Sequence, residues 1–145
     1  MTPMKSPTQP PSAAELLNDP VVQQALAQAW LDSQTDDPSN RHEEGGWIYL
    51  NTITGQLTIQ RAPAGSRVQL DLSDPPEVPD AVVVGTFHTH PNPTAADWNP
   101  GPSPTDQASA ASSGVPWLIR ADNGDYSTEP NRRRGGLSGE PGYPI

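Results

Sequence analysis

The chain contains no cysteine, which excludes a disulfide framework, thiolate catalysis and any thiolate metal site; a metal would have to be held by nitrogen and oxygen. Basic residues are scarce. Lysine and arginine total 8 against 17 aspartates and glutamates, a net charge of -9, so the basic face that phosphate backbones require is missing and nucleic acid is not expected as a partner. The one basic cluster is Arg132-Arg133-Arg134, near the end. No apolar stretch approaches the ~20 residues of a membrane-spanning helix, and the opening residues lack the apolar core of a signal peptide. Neither a membrane partner nor secretion is expected, and the cytoplasm is the default location. Apolar residues make up only 32 % of the chain, enough for one small domain with loose ends.

Proline is abundant, at 19, and glycine follows at 12, which predicts short elements joined by many turns. Residues 1–11 read as a disordered leader. Ser12-Ala13-Ala14-Glu15 has the form of a capping box before a short helix, and Asp19-Pro20 caps a second helix whose Val21, Val22, Ala25, Leu26, Ala29 and Trp30 recur at the spacing of one helical face. From Gly46 the period changes. Residues 47–52 and 56–60 read as a hairpin turning at Thr54-Gly55, and Arg67-Val68-Gln69-Leu70-Asp71-Leu72 alternates as a third strand would. Residues 81–87, nearly all apolar, predict a central strand buried on both faces. A helix over 105–112, a strand over 115–120, a turn at Asn123-Gly124 and a last strand at 126–128 complete an α+β domain over residues 12–128, with a small central mixed sheet flanked by short helices. The tail, 129–145, has little to bury.

Chemistry concentrates after the central strand, in the stretch TFHTHPNPTAADWNPGPSPTD, residues 86–106. Residues two apart in a strand share a face, so His88 and His90 present two imidazoles side by side where the chain leaves the sheet. Asp106, at the start of the next helix, can supply a third ligand and leave an open position on the metal. An H-x-H pair also fits a solvated strand face, and Ser103 to Asp106 also fits a purely local cap. Upstream, Arg41-His42-Glu43-Glu44-Gly45-Gly46 delivers carboxylates just before the first strand, where a general base for a metal-activated water would be needed.

Glu43-x-x-Gly46, His88-x-His90-Pro91 and Ser103-x-x-Asp106, in that order on those elements, resemble the JAMM (JAB1/MPN/Mov34) metalloprotease motif, in the manner of a small prokaryotic or phage-type member. The resemblance spans roughly residues 41–128. It implies an MPN-like fold with cytidine-deaminase-like layering. It also implies Zn2+ held by His88, His90 and Asp106, Glu43 as general base, and Ser103 stabilising the oxyanion. The implied reaction is hydrolysis of a peptide or isopeptide bond, with ubiquitin-like conjugates among the family's substrates. The loop 91–102 is longer than the family pattern, and its Asp97 is an alternative third ligand. Glu43 is preferred to Glu44 because only Glu43 has glycine three places on, although strand register could exchange them; Glu44 reads as a surface carboxylate and His42 as a surface histidine. The alternatives are a catalytically inactive MPN-like protein-binding scaffold and a metal-free interaction domain.

Overall fold

The structure, a computed structural model, describes residues 10–93 and 101–130. Most of the expected leader, Asp97 and Trp98 of the long loop, and the tail arginines lie outside the described residues. Eight elements follow in order: α1 (Ala13–Leu17), α2 (Pro20–Asp32), β1 (Gly45–Asn51), β2 (Leu57–Arg61), β3 (Ala81–Thr89), α3 (Pro104–Ser113), β4 (Trp117–Ala121) and β5 (Gly124–Thr128). Among the described residues no helix is long and apolar enough to cross a membrane.

Local signals set the helix starts. Ser12 and Glu15 form the expected capping box on α1, Asp19 accepts from Val21 N–H with Pro20 in the first turn of α2, and Ser103 and Asp106 form a second box on α3. Each side chain satisfies N–H groups that a helix start leaves unpaired. The α3 helix ends at Gly114, whose φ of 78° lies in the left-handed region glycine favours.

The strands form one five-stranded sheet in the order β2-β1-β3-β4-β5. Only β3 and β4 run parallel, as they must when α3 carries the chain from one to the other. The result is an α+β domain with a small mixed sheet. β3 is central, as its apolar run predicts, but it is half-open at its start, where Val82 is 50 % exposed.

The segment 67–72, expected as a third strand, is irregular. Both edges of β1 are already taken, by β2 and β3, so this segment crosses the face of the sheet. Its alternation records packing: Leu70 and Leu72 lie against Trp47 and Tyr49, and Trp47 Nε1 donates to Leu72 O at 3.1 Å.

The other face is covered by α1 and α2, where Leu16, Val22, Leu26, Ile48, Phe87 and Leu118 are fully buried. Each contributes about 1.5–3 kcal/mol of hydrophobic stabilisation. Gly85 makes room for this contact, since a Cβ there would stand 2.8 Å from Leu16 Cδ1.

One irregularity decides where the chemistry goes. Tyr49 pairs with Val83 and Ile48 with Gly85, so Val84 is an extra residue in β3. A bulge of this kind changes which face the following residues occupy. Val83, Thr86 and His88 therefore lie on one face, while Gly85 and Phe87 lie on the helix-covered one.

Candidate metal centre

Beyond the bulge, β3 places His88 on the face away from α1 and α2, opposite Gly45 on β1 and Ile119 on β4. The neighbouring glycine is a steric requirement. A Cβ on Gly45 would lie 2.1 Å from Phe87 O and 2.9 Å from His88 Cβ, closer than real atoms approach. His90 leaves the strand end with its N–H donated to Arg120 O at 2.8 Å.

The third group arrives with α3. Asp106 sits in its first turn, where Asp106 Oδ2 accepts from Ser103 N–H at 3.0 Å and Ser103 Oγ accepts from Asp106 N–H at 3.0 Å. The cap thus fixes the carboxylate while leaving it facing the histidines. His88 Nε2 lies 3.2 Å from His90 Nε2 and 3.4 Å from Asp106 Oδ1, and His90 Nε2 lies 3.4 Å from Asp106 Oδ2. These three residues form the one group among the described residues whose donor atoms converge as a metal would require.

The spacings test the fit. Charge-assisted hydrogen bonds close to about 2.7–2.9 Å, and 3.4 Å is too long for one. Ligands at about 2.0–2.1 Å in a tetrahedron stand about 3.3–3.4 Å apart. The His88–His90 spacing and the distance from each imidazole to its facing Asp106 oxygen lie near that edge, and the N2O composition suits divalent ions of intermediate softness, zinc among them. A buried His-His-Asp group able to bind a metal ion is therefore present. His88 Nδ1 is buried with no partner among the described residues, so Nε2 is the ring atom with polar company.

Electrostatics sharpen the contrast between the two acids. Burial works to raise the Asp106 carboxyl, but the neighbouring imidazoles of His88 and His90 and the hydrogen bond from Ser103 N–H outweigh it and hold it well below the usual carboxylate range. Burial pushes Glu43 up from 4.5 to about 8, His90 opposing and Asp106 reinforcing. Glu43 is 6 % exposed and lines the same groove as the trio and Ser103.

Glu43 and Glu44 differ in their partners. Glu44 is buried, not a surface carboxylate: its two oxygens accept from Arg61 at 2.7 Å and His42 at 2.6 Å, and it is absent from the groove lining. The hairpin brings Arg61 there, a contact between distant residues that no local pattern announces. His42 is no ligand; its Nδ1 lies 2.9 Å from Asn40 O.

Two further residues, not singled out from the sequence, tie down the backbone beside Glu43. Ser33 Oγ donates to Ala29 O at 2.8 Å, so Thr89 must supply the proton in their 2.7 Å contact, and Thr89 Oγ1 then accepts from Glu44 N–H at 3.1 Å. This directed chain ties α2 to the backbone beside Glu43, and both hydroxyl residues are fully buried. Thr89 was visible only as the unassigned letter between the two histidines.

The groove, of about 1070 Å³, runs from the trio along the sheet between α3 and the crossing segment 68–75. No protein-family model and no curated protein matches the chain, so the chemistry of the site has to be read from its own geometry.

Proposed function

We propose that this chain is a zinc-dependent hydrolase of the JAMM type, cleaving a peptide or isopeptide bond. The observation that supports this is the convergence of His88, His90 and Asp106 with a buried, proton-holding Glu43 on the same groove. His88, His90 and Asp106 would hold the ion. When bound, zinc supplies Lewis-acid activation of a water for attack on a carbonyl.

Glu43 takes the proton the attacking water loses and delivers it to the leaving amine nitrogen. A carboxyl raised to about 8 is a much stronger base than an ordinary glutamate, and a neighbouring cation draws it back toward neutrality, where proton exchange is most effective. Ser103 caps α3 with its oxygen as acceptor, which leaves its hydroxyl proton to donate to a developing oxyanion. Thr89 and Ser33 keep the base aligned. Ubiquitin-like conjugates and short peptides are the first substrates to try.

The test begins with elemental analysis of the purified protein beside a His88→Ala/His90→Ala double variant. About one zinc per chain in the parent and none in the variant is expected; a parent that takes up no metal, even from added zinc, overturns the proposal. With metal established, Glu43→Gln should lower turnover by about 10²–10⁴-fold while retaining zinc.

A further inference from the structure

Glu43 lies between two residues whose side chains hold each other. Its N–H donates to Ser66 O at 2.8 Å and its carbonyl accepts from Gly65 N–H at 2.9 Å, so the chain runs extended past the segment 65–66. In an extended chain the residues on either side of a given one share the opposite side. Glu43 accordingly lines the groove, and His42 and Glu44 do not. Behind Glu43, His42 Nε2 lies 2.6 Å from Glu44 Oε2. A bond from the residue before Glu43 to the residue after it spans Glu43 and restrains the backbone dihedrals that aim its carboxyl.

The protons of this clasp follow by elimination. His42 Nδ1 lies 2.9 Å from Asn40 O, and a carbonyl only accepts, so Nδ1 carries a hydrogen. Glu44 accepts from Arg61 at 2.7 Å through its other oxygen, as a carboxylate does, so Nε2 donates as well. With both ring nitrogens donating, His42 is an imidazolium. The charged groups that face it are Glu44 on its own segment, Asp32 at the end of α2, and Arg61 on β2, which pairs with both acids. The hydrogen bond to Asn40 O, then Glu44 and Asp32, hold the ring above its ordinary 6.5 against partial burial.

Loss of one proton reverses the contact. A neutral ring that keeps its hydrogen on Nδ1 for Asn40 turns the Nε2 lone pair toward the Glu44 carboxylate, and two acceptors do not stay at hydrogen-bond distance. We propose that His42 is a positioning residue for Glu43: protonated, it clasps Glu44 and fixes the base; deprotonated, it lets go and the base loses its aim at the metal centre. The role of Glu43 as base rests on the hydrolase reading, whereas the clasp does not.

The test compares the full-length, zinc-supplied parent with His42→Ala and His42→Gln. Glutamine carries an N–H as many bonds from the backbone as Nε2 and does not titrate. In the parent, protection of the Glu43 and Glu44 amides against hydrogen exchange, relative to amides of β3, should fall about tenfold as pH rises through the His42 titration followed by NMR. The direction follows from a raised folded value: the clasp contributes fully below 6.5 and is lost as pH passes the folded pKa. His42→Gln should hold that protection constant. Glu43 is present in both proteins, so the difference between them belongs to His42. In hydrolysis, His42→Ala should lower kcat by about ten- to a hundredfold with KM and zinc content unchanged. His42→Gln should restore most of kcat and delete the alkaline fall at the His42 pKa, and it carries the test should His42→Ala fold poorly.

A His42 ring that titrates at or below its ordinary value, or parallel protection profiles in parent and His42→Gln, overturns the proposal. A pH-dependent clasp in a parent that cleaves nothing supports the clasp and removes the hydrolase. Hydrolysis with the same kcat and pH profile in His42→Ala as in the parent keeps the hydrolase and removes the positioning role.

Discussion

On one side of the sheet Ile48, Phe87 and Leu118 meet Leu16, Val22 and Leu26 in a cluster made only of apolar residues. On the other side, one residue away along the same strands, Trp47, Thr86 and His88 border an open groove. The first face is closed by two capped helices, the second by an irregular crossing segment and α3. The difference teaches where each kind of residue can be changed: the helix face supplies the stability that allows the groove face to keep buried acids, converging imidazoles and an unpaired hydroxyl, all of which cost free energy.

That division of labour can be broken from either side. Phe87→Ala empties a fully buried site on the helix face and should lower unfolding free energy by about 3–5 kcal/mol in denaturant titrations. Variant that still folds should bind zinc as the parent does; loss of metal affinity in folded protein would mean that the two faces are not separable.

A charge effect of opposite direction is expected across the sheet. With its carboxyl at about 8 in the folded protein against an ordinary 4.5, Glu43 binds more protons folded than unfolded between those values. Stability of the metal-free protein therefore falls as pH rises through that window and levels off above it. Glu43→Gln removes this dependence and should be more stable than the parent at pH 9, by up to about 5 kcal/mol, with little difference at pH 4. Parallel stability–pH curves for parent and variant would show that Glu43 is not held in its protonated form.

Smaller changes probe the junction of the two faces. Thr89→Val keeps the shape but deprives Glu44 N–H of its side-chain acceptor and Ser33 of its donor, at a cost of about 1–3 kcal/mol, read by thermal and chemical denaturation. Ser103→Ala removes the cap of α3 and should cost about 1 kcal/mol while weakening zinc binding, because Asp106 loses its orientation. Unchanged zinc affinity there would assign Ser103 to the cap alone.

What could be read beforehand follows the range of the signal. The caps on α1, α2 and α3 are contained within four residues, and the apolar run of β3 within seven, so the sequence shows them directly. Asp106 was legible for the same reason: the box that starts α3 also delivers the carboxylate. The segment 67–72 misled because alternation reports which side chains are covered, not what covers them; Leu70 and Leu72 are covered by packing on Trp47 and Tyr49 instead of by strand neighbours. The burial of Glu44 was hidden because Arg61, its partner, becomes adjacent only once β2 pairs with β1. The bulge was invisible because an apolar run such as Ala81 to Val84 has no alternation in which to show a missed step.

The extra residue at Val84 makes the function of β3 a matter of counting. Removing that single valine would close the bulge and leave Val83 and Gly85 in unbroken alternation, so Thr86 and His88 keep the groove side and Phe87 the helix side. Removing Val84 and Gly85 together would set Thr86 next to Val83, and every residue after it would change sides, sending Phe87 toward the groove and His88 into the dry cluster around Leu16 and Leu26. Deletion of Val84 alone should thus keep the metal and deletion of Val84 with Gly85 should lose it, as a reading frame alternates between sense and nonsense; the candidate metal centre depends on the odd or even length of the chain that leads to it, as well as on the residues that compose it.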